Sequence, residues 1–154
     1  MAIVQISLGT NLGDRQQNML TAVALLAERV GKILALSALY ETEPWGFDSD
    51  NAFLNAALTI ETHCQPLELL AITQYVEQAM GRMEKSNGTY TDRLIDIDLL
   101  MYDDLVMNSP LLTLPHPLMA EREFVLKPLA EIAPDVVHPV LKETISRLYE
   151  RLHS

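Results

Sequence analysis

The chain has one cysteine, Cys64. That excludes an internal disulfide and a zinc cage built on thiolates. Basic residues are scarce: 11 Lys and Arg stand against 21 Asp and Glu, for a formal net charge of −10. An acidic surface repels nucleic acid and anionic lipid, so wholesale binding of a phosphate backbone is not expected. A polyphosphate substrate would have to meet a local concentration of cations. No apolar stretch is long enough to span a bilayer, and Met1-Ala2-Ile3-Val4-Gln5 lacks the basic region of a signal peptide. The expected location is the cytoplasm. There is no internal repeat, low-complexity tract or Gly/Ser linker. What remains is 154 residues, 49% hydrophobic and 21% charged, which reads as one globular domain, 1–154.

The pattern predicts alternating strands and helices. Ile3, Val4, Ile6 and Leu8 read as a buried strand closed by the turn Gly9-Thr10-Asn11-Leu12-Gly13. Asp14 is placed to cap a helix whose stripe is Leu20, Val23, Ala24, Ala27 and Val30, with Gly31 as its stop. Residues 33–40 form an apolar run of strand length. Between 52 and 60 the residues alternate, with Ala52, Leu54, Ala56, Leu58 and Ile60 on one face and Phe53, Asn55, Ala57 and Thr59 on the other. Pro66 suits the first turn of a second helix with the stripe Leu69, Ile72, Val76 and Ala79, ended by Gly81. A further strand covers 94–102. The order β-α-β-β-α-β implies an α+β chain: a ferredoxin-like sandwich with an antiparallel sheet and helices on one face. A C-terminal extension carries a short strand near Val106, a helical piece at 118–122 and a last helix from about Glu143.

Asp96-Ile97-Asp98 is the sharpest chemical feature. Residues two apart on a strand face the same side, with Cα atoms roughly 6–7 Å apart. Ile95, Ile97 and Leu99 then suit the core, and two carboxylates stand together with Leu94 and Leu100. Like charges side by side call for something positive between them, and magnesium takes one or two carboxylates plus water and phosphate. An isolated Asp-x-Asp is more often a solvated pair. Arg82, Lys85 and Arg93 are cations in the adjoining stretch of an otherwise acidic chain, and they supply what a polyphosphate transition state needs. Their bland alternative is balance of the nearby acids. In Pro115-His116-Pro117, flanking prolines fix the backbone of a histidine able to donate to phosphate; Arg122 and Phe124 follow. Thr42-Glu43-Pro44-Trp45 and Phe53-Leu54-Asn55 put aromatic rings near an amide, which suits a flat heterocycle, although aromatic residues are mostly core. Gln74 and Glu77 read from spacing alone as a solvated helix face.

Arg93-Leu94-Ile95-Asp96-Ile97-Asp98-Leu99-Leu100 resembles the signature of the 6-hydroxymethyl-7,8-dihydropterin pyrophosphokinases. So do Ser7-Leu8-Gly9-Thr10-Asn11-Leu12-Gly13, Tyr40-Glu41-Thr42, Phe53-Leu54-Asn55-Ala56-Ala57, Gly81-Arg82, Pro115-His116-Pro117 and Phe124-Val125-Leu126 with the following Pro128-Leu129-Ala130-Glu131-Ile132-Ala133-Pro134. The resemblance implies transfer of diphosphate from ATP to a pterin hydroxymethyl group, with AMP released, in folate biosynthesis. It implies that Asp96 and Asp98 hold two magnesium ions, and that Arg82, Arg93 and His116 join them in catalysis. Gln74, Glu77, Arg82, Lys85, Arg93, His116 and Arg122 would contact ATP. Thr42, Pro44, Trp45, Phe53, Asn55 and Phe124 would form the pterin pocket. The implied partners are these small molecules alone, with no nucleic acid and no membrane, and the chain acting as a monomer.

One departure is Gly88-Thr89-Tyr90-Thr91-Asp92, where the family commonly has Arg-Trp-Gly-Pro. Another is Lys85, which offers a point charge and not a bidentate fork. Two other classes share parts of the pattern: a magnesium-dependent nucleotidyl-transfer enzyme such as a cyclase, and a non-catalytic binding module. Pterin binding separates the first, and failure to bind MgATP would favour the second.

Overall fold

A computed structural model describes residues 1–42, 52–81 and 94–153. Strand β1 (Ala2–Thr10) leads into helix α1 (Arg15–Arg29), then β2 (Gly31–Leu36), β3 (Tyr40–Thr42), β4 (Phe53–Thr62), helix α2 (Pro66–Ala79) and β5 (Asp96–Tyr102). The tail adds β6 (Met107–Asn108), β7 (Thr113–Leu114), a 3-10 turn (Met119–Glu121), α3 (Glu123–Ile132) and α4 (Ile145–Leu152). The main sheet runs β2-β4-β1-β5, with β3 also paired to β4. Each of these pairings is antiparallel. Among the described residues no helix is long and apolar enough to cross a membrane.

One face of the sheet carries Val4, Ile6, Leu8, Ala56, Leu58, Ile60, Ile95, Ile97 and Leu99 against Met19, Ala22 and Leu26 of α1 and Leu69 and Val76 of α2. Each fully buried Leu, Ile or Met there contributes about 1.5–3 kcal/mol. The opposite face is covered as well. Ala57, Leu100 and Met101 pack with Val125, Leu126 and Leu129 of α3 and with Ile145 and Leu148 of α4. Helices therefore lie on both faces and not on one, because the tail supplies the second layer.

Several expected elements shift. Asp14 caps α1 as expected, its carboxylate accepting the N–H of Gln17 at 3.0 Å. The buried stripe is Met19, Ala22 and Leu26, while Leu20, Ala24 and Ala27 are exposed. Residues 19–27 are apolar at every position but Thr21, so periodicity alone leaves the helix free to turn. Gly31 follows the helix as placed, but space is its reason: a Cβ there would lie 2.0 Å from the Glu61 carbonyl oxygen. The run at 33–40 is broken after Leu36. Ser37 Oγ accepts the Ala57 N–H at 2.8 Å, the Ala38 N–H turns to the Glu131 carboxylate, and pairing resumes at Tyr40. Helix α3 was not expected at all. It runs through Pro128, which contributes no N–H to the ladder and reads in sequence as a breaker. The last helix begins at Ile145, with Thr144 Oγ1 accepting the Arg147 N–H at 3.2 Å.

Candidate active site

Strand register builds the site. Tyr40 pairs with Asn55, Asn55 with Gly9, and Gly9 with Asp96. Paired residues on neighbouring strands point to the same side of a sheet. Asn55 and Asp96 therefore share a face, two strand spacings or about 10 Å apart. The next row on that face is Ala57, Ser7 and Asp98. Ala57 already lies under α3 and α4, so the amide and both carboxylates continue the face that those helices cover. The two motifs that sequence spacing placed separately, Phe53-Leu54-Asn55 and Asp96-Ile97-Asp98, come together here.

Gly9 makes the row possible. It lies within β1, one of the two residues by which the strand runs past the expected end at Leu8. A Cβ on it would come within 3.3 Å of Asn55 Oδ1 and 3.6 Å of the Phe53 ring. Without one, both side chains settle over β1. Asn55 is only 3% exposed, and its Nδ2 donates to Thr42 Oγ1 at 2.6 Å. Thr42 is the last residue of β3 and pairs with Phe53. Thr42, Phe53 and Asn55 thus form one group at the end of the short β3–β4 ladder.

On the far side, β5 is an outer strand of the main sheet. Its outward backbone groups are met from two directions. Glu77 Oε2 accepts the Ile97 N–H at 2.8 Å, and the His116 N–H donates to the Leu100 carbonyl at 2.8 Å. Glu77 is buried, 5% exposed, which overturns its reading as part of a solvated face. Gln74 is exposed as that reading had it.

His116 follows Pro115 and the cis Leu114–Pro115 bond. Its Nδ1 accepts the Leu118 N–H at 3.1 Å, so the neutral ring carries its proton on Nε2. Burial lowers its pKa below the ordinary histidine value. The Arg122 guanidinium lowers it further, against a smaller opposing pull from the Asp96 carboxylate. Arg122 in turn stacks 5.6 Å from the centre of the Phe124 ring. His116 is thus tied to β5 through Leu100, and Arg122 to Phe124.

Magnesium fits this donor set. Among the described residues no group of three or more His, Cys, Asp or Glu is arranged to hold a metal. Asp96 and Asp98 are both half-buried on one face. Magnesium takes one or two carboxylates completed by water and phosphate oxygens. Pro44, Trp45, Arg82, Lys85 and Arg93 lie outside the described residues.

Sequence reasoning missed two contributors. Glu77 sits beside core Val76, and nothing in the helical spacing separates a buried carboxylate there from a surface one. Gly9 did carry a signal, since a glycine in a strand pattern marks close approach of something else.

The family model described as 7,8-dihydro-6-hydroxymethylpterin-pyrophosphokinase (HPPK) matches residues 5–134. A 2-amino-4-hydroxy-6-hydroxymethyldihydropteridine pyrophosphokinase of Porphyromonas gingivalis is 50% identical over 141 residues, covering 90% of this chain and 95% of that protein. One of the same name from Aquifex aeolicus is 40% identical, covering 94% and 89%. Folic acid synthesis protein fol1 of Schizosaccharomyces pombe is 39% identical over 99% of this chain, which spans 21% of that protein. Among solved structures, HPPK-DHPS of Plasmodium falciparum superposes with a TM-score of 0.77 at 19% identity, over 97% of this chain and 44% of that one. This last likeness speaks to fold alone; the family match and the closely covered relatives go further, and by them the chain belongs to the 7,8-dihydro-6-hydroxymethylpterin-pyrophosphokinase family.

Proposed function

We propose how this pyrophosphokinase of folate biosynthesis works. The hydroxymethyl oxygen of 6-hydroxymethyl-7,8-dihydropterin bonds to the β-phosphorus of ATP and gives up its proton to water. The bond from that phosphorus to the α,β-bridging oxygen breaks, and AMP leaves with the electron pair. The observation that carries this reading is the row Asn55, Gly9, Asp96: it puts an amide suited to a heterocycle and a carboxylate suited to a metal on one face, a small molecule's length apart. A cyclase-like nucleotidyl transferase would have no use for Asn55 and Phe53 in that place.

In this reading Asn55 and the Thr42 backbone read the hydrogen-bonding edge of the pterin. Phe53 and Phe124, with Pro44 and Trp45, wall its ring. Asp96 and Asp98 hold two magnesium ions, which when bound neutralise phosphate charge. His116 donates from Nε2 to a phosphate oxygen. Arg82, Lys85, Arg93 and Arg122 pair with phosphate, and Gln74 and Glu77 border the nucleotide. No side chain serves as a general base. Transfer of this kind depends on positioning and charge stabilisation. Residues 1–154 act as one domain and as a monomer, in the cytoplasm. The strand order β2-β4-β1-β5 supports a ferredoxin-like core.

The test is direct. Incubated with MgATP and the hydroxymethyl pterin, the protein yields AMP and pterin diphosphate, and chelation of magnesium stops both. ADP as the nucleotide product, or AMP formed equally without pterin, overturns the reading.

A further inference from the structure

Helix α1 opens with an arginine. Arg15 is its first residue, after the Asp14 cap, and the first turn holds no acidic residue. A cation is disfavoured at that end of a helix, where the backbone dipole is positive. What Arg15 does there is reach two separate places. Its Nη2 pairs with Glu41 Oε1 at 2.7 Å, and its Nη1 donates to the Ala52 carbonyl oxygen at 2.9 Å. Glu41 belongs to β3, and Ala52 is the residue just before β4.

The β3–β4 ladder is three pairs long and ends at Thr42 opposite Phe53. So short a strand has little pairing of its own to hold it. Arg15 joins the two chains at that end of the ladder. Next along the ladder is the 2.6 Å contact from Asn55 Nδ2 to Thr42 Oγ1. The two terminal nitrogens of a guanidinium diverge, so one arginine serves both chains, whereas a lysine offers a single point of charge.

We propose that Arg15 is a positioning residue for the pterin side of the site. It holds β3 against β4 so that Thr42, Phe53 and Asn55 keep their relative places. The inference rests on the pterin pocket proposed above, and it adds a residue that touches neither ligand.

The experiment measures KM for pterin, KM for ATP, kcat and Tm in Arg15→Gln, Arg15→Lys, Glu41→Gln, the double Arg15→Gln/Glu41→Gln variant and Asn55→Ala. The Arg15 and Glu41 side chains are 33% and 60% exposed, so solvent screening keeps the effect moderate. Pterin KM should rise roughly two- to tenfold in Arg15→Gln, with ATP KM and kcat held and Tm little changed. Glu41→Gln should raise it less, Arg15→Lys should restore part of the loss, and the double variant should be no worse than Arg15→Gln alone. A pterin KM unchanged in Arg15→Gln but raised in Asn55→Ala overturns the role of Arg15 and leaves the pocket standing. An unchanged pterin KM in Asn55→Ala overturns the pocket, and this role with it. Equal rises in both KM values, or additive effects in the double variant, also overturn it, since they describe a general loss of structure or two independent residues.

Discussion

Glu77 Oε2 takes the backbone N–H of Ile97 at 2.8 Å, and Ile97 is the residue between Asp96 and Asp98. A carboxylate on α2 thus does for β5 what another strand would do. A carboxylate pair on an outer strand is only as well placed as that strand's backbone, so this buried contact bears on the proposed metal site without belonging to either aspartate.

Removing it should show in stability first. In Glu77→Ala the Ile97 N–H loses its buried partner, at about 1–3 kcal/mol. A chain of this length loses about 2–4 °C of Tm per kcal/mol. Glu77→Gln keeps an acceptor oxygen and should retain most of the Tm. Thermal unfolding of both variants checks this; equal Tm losses in Gln and Ala would mean that charge, and not the hydrogen bond, is what Glu77 contributes.

Asp96→Ala and Asp98→Ala should leave the fold intact and lower turnover at least about a hundredfold each, as loss of a transition-state charge stabiliser does. Without metal, relief of repulsion between the two carboxylates should leave Tm unchanged or raised. Turnover within a few-fold of the parent in both variants would remove the pair from the metal site.

Histidine burial gives a pH dependence with a definite sign. His138 is 6% exposed, and its Nδ1 accepts the N–H groups of Val140 and Leu141 at 3.2 and 3.0 Å. Burial lowers its pKa in the folded chain, while the unfolded chain keeps a value near 6.5. As pH falls through that value the unfolded state takes up a proton that the folded state resists, so stability falls with it. Tm should therefore decline from pH 7.5 to 5.5. His138→Asn keeps an acceptor in place of Nδ1 and does not titrate, so the decline should be shallower, with a remainder from His116. An identical slope would show that His138 is not involved.

Trp45 is the only tryptophan, so its emission reports one place. If it walls the pterin pocket, with ring centres roughly 4.5–7 Å apart, a bound pterin should quench it strongly, and more so with a non-hydrolysable MgATP analogue present. The coupling should be reciprocal, with pterin tightening the analogue by the same factor. Asn55→Ala should weaken the titration without altering Trp45. Unchanged emission at saturation, with binding confirmed by calorimetry, would move Trp45 out of the site.

Period-two alternation was enough to place Asp96 with Asp98 and Phe53 with Asn55, because a strand buried on one face fixes which side each residue takes. It could not say that the two pairs share a face, which depends on β1 lying between them in a particular register. The stripe of α1 was misplaced because Met19 and Leu20 are equally apolar and only the sheet chooses between them. Helix α3 was hidden by Pro128. Arg15 was invisible because its partners, Glu41 and Ala52, are distant in sequence. The Asp14 cap was readable because its partner is three residues away.

If the pterin binds at Asn55 and the nucleotide at Asp96 and Asp98, as proposed, the row through Gly9 also makes β1 a ruler for both ligands. One strand sets where the amide on its left and the carboxylates on its right stand. A change that tilts or slides β1 displaces the two together, and no adjustment confined to β4 or β5 can correct both. Errors in β1 should therefore appear as correlated defects, with pterin and nucleotide weakened in step. Errors in β3 or β4 should fall on the pterin alone, and errors in β5 on the nucleotide alone. The glycine at the centre of the row leaves no side chain through which the spacing could be tuned, so the reach from the Asn55 amide to the Asp96 carboxylate is fixed by backbone geometry.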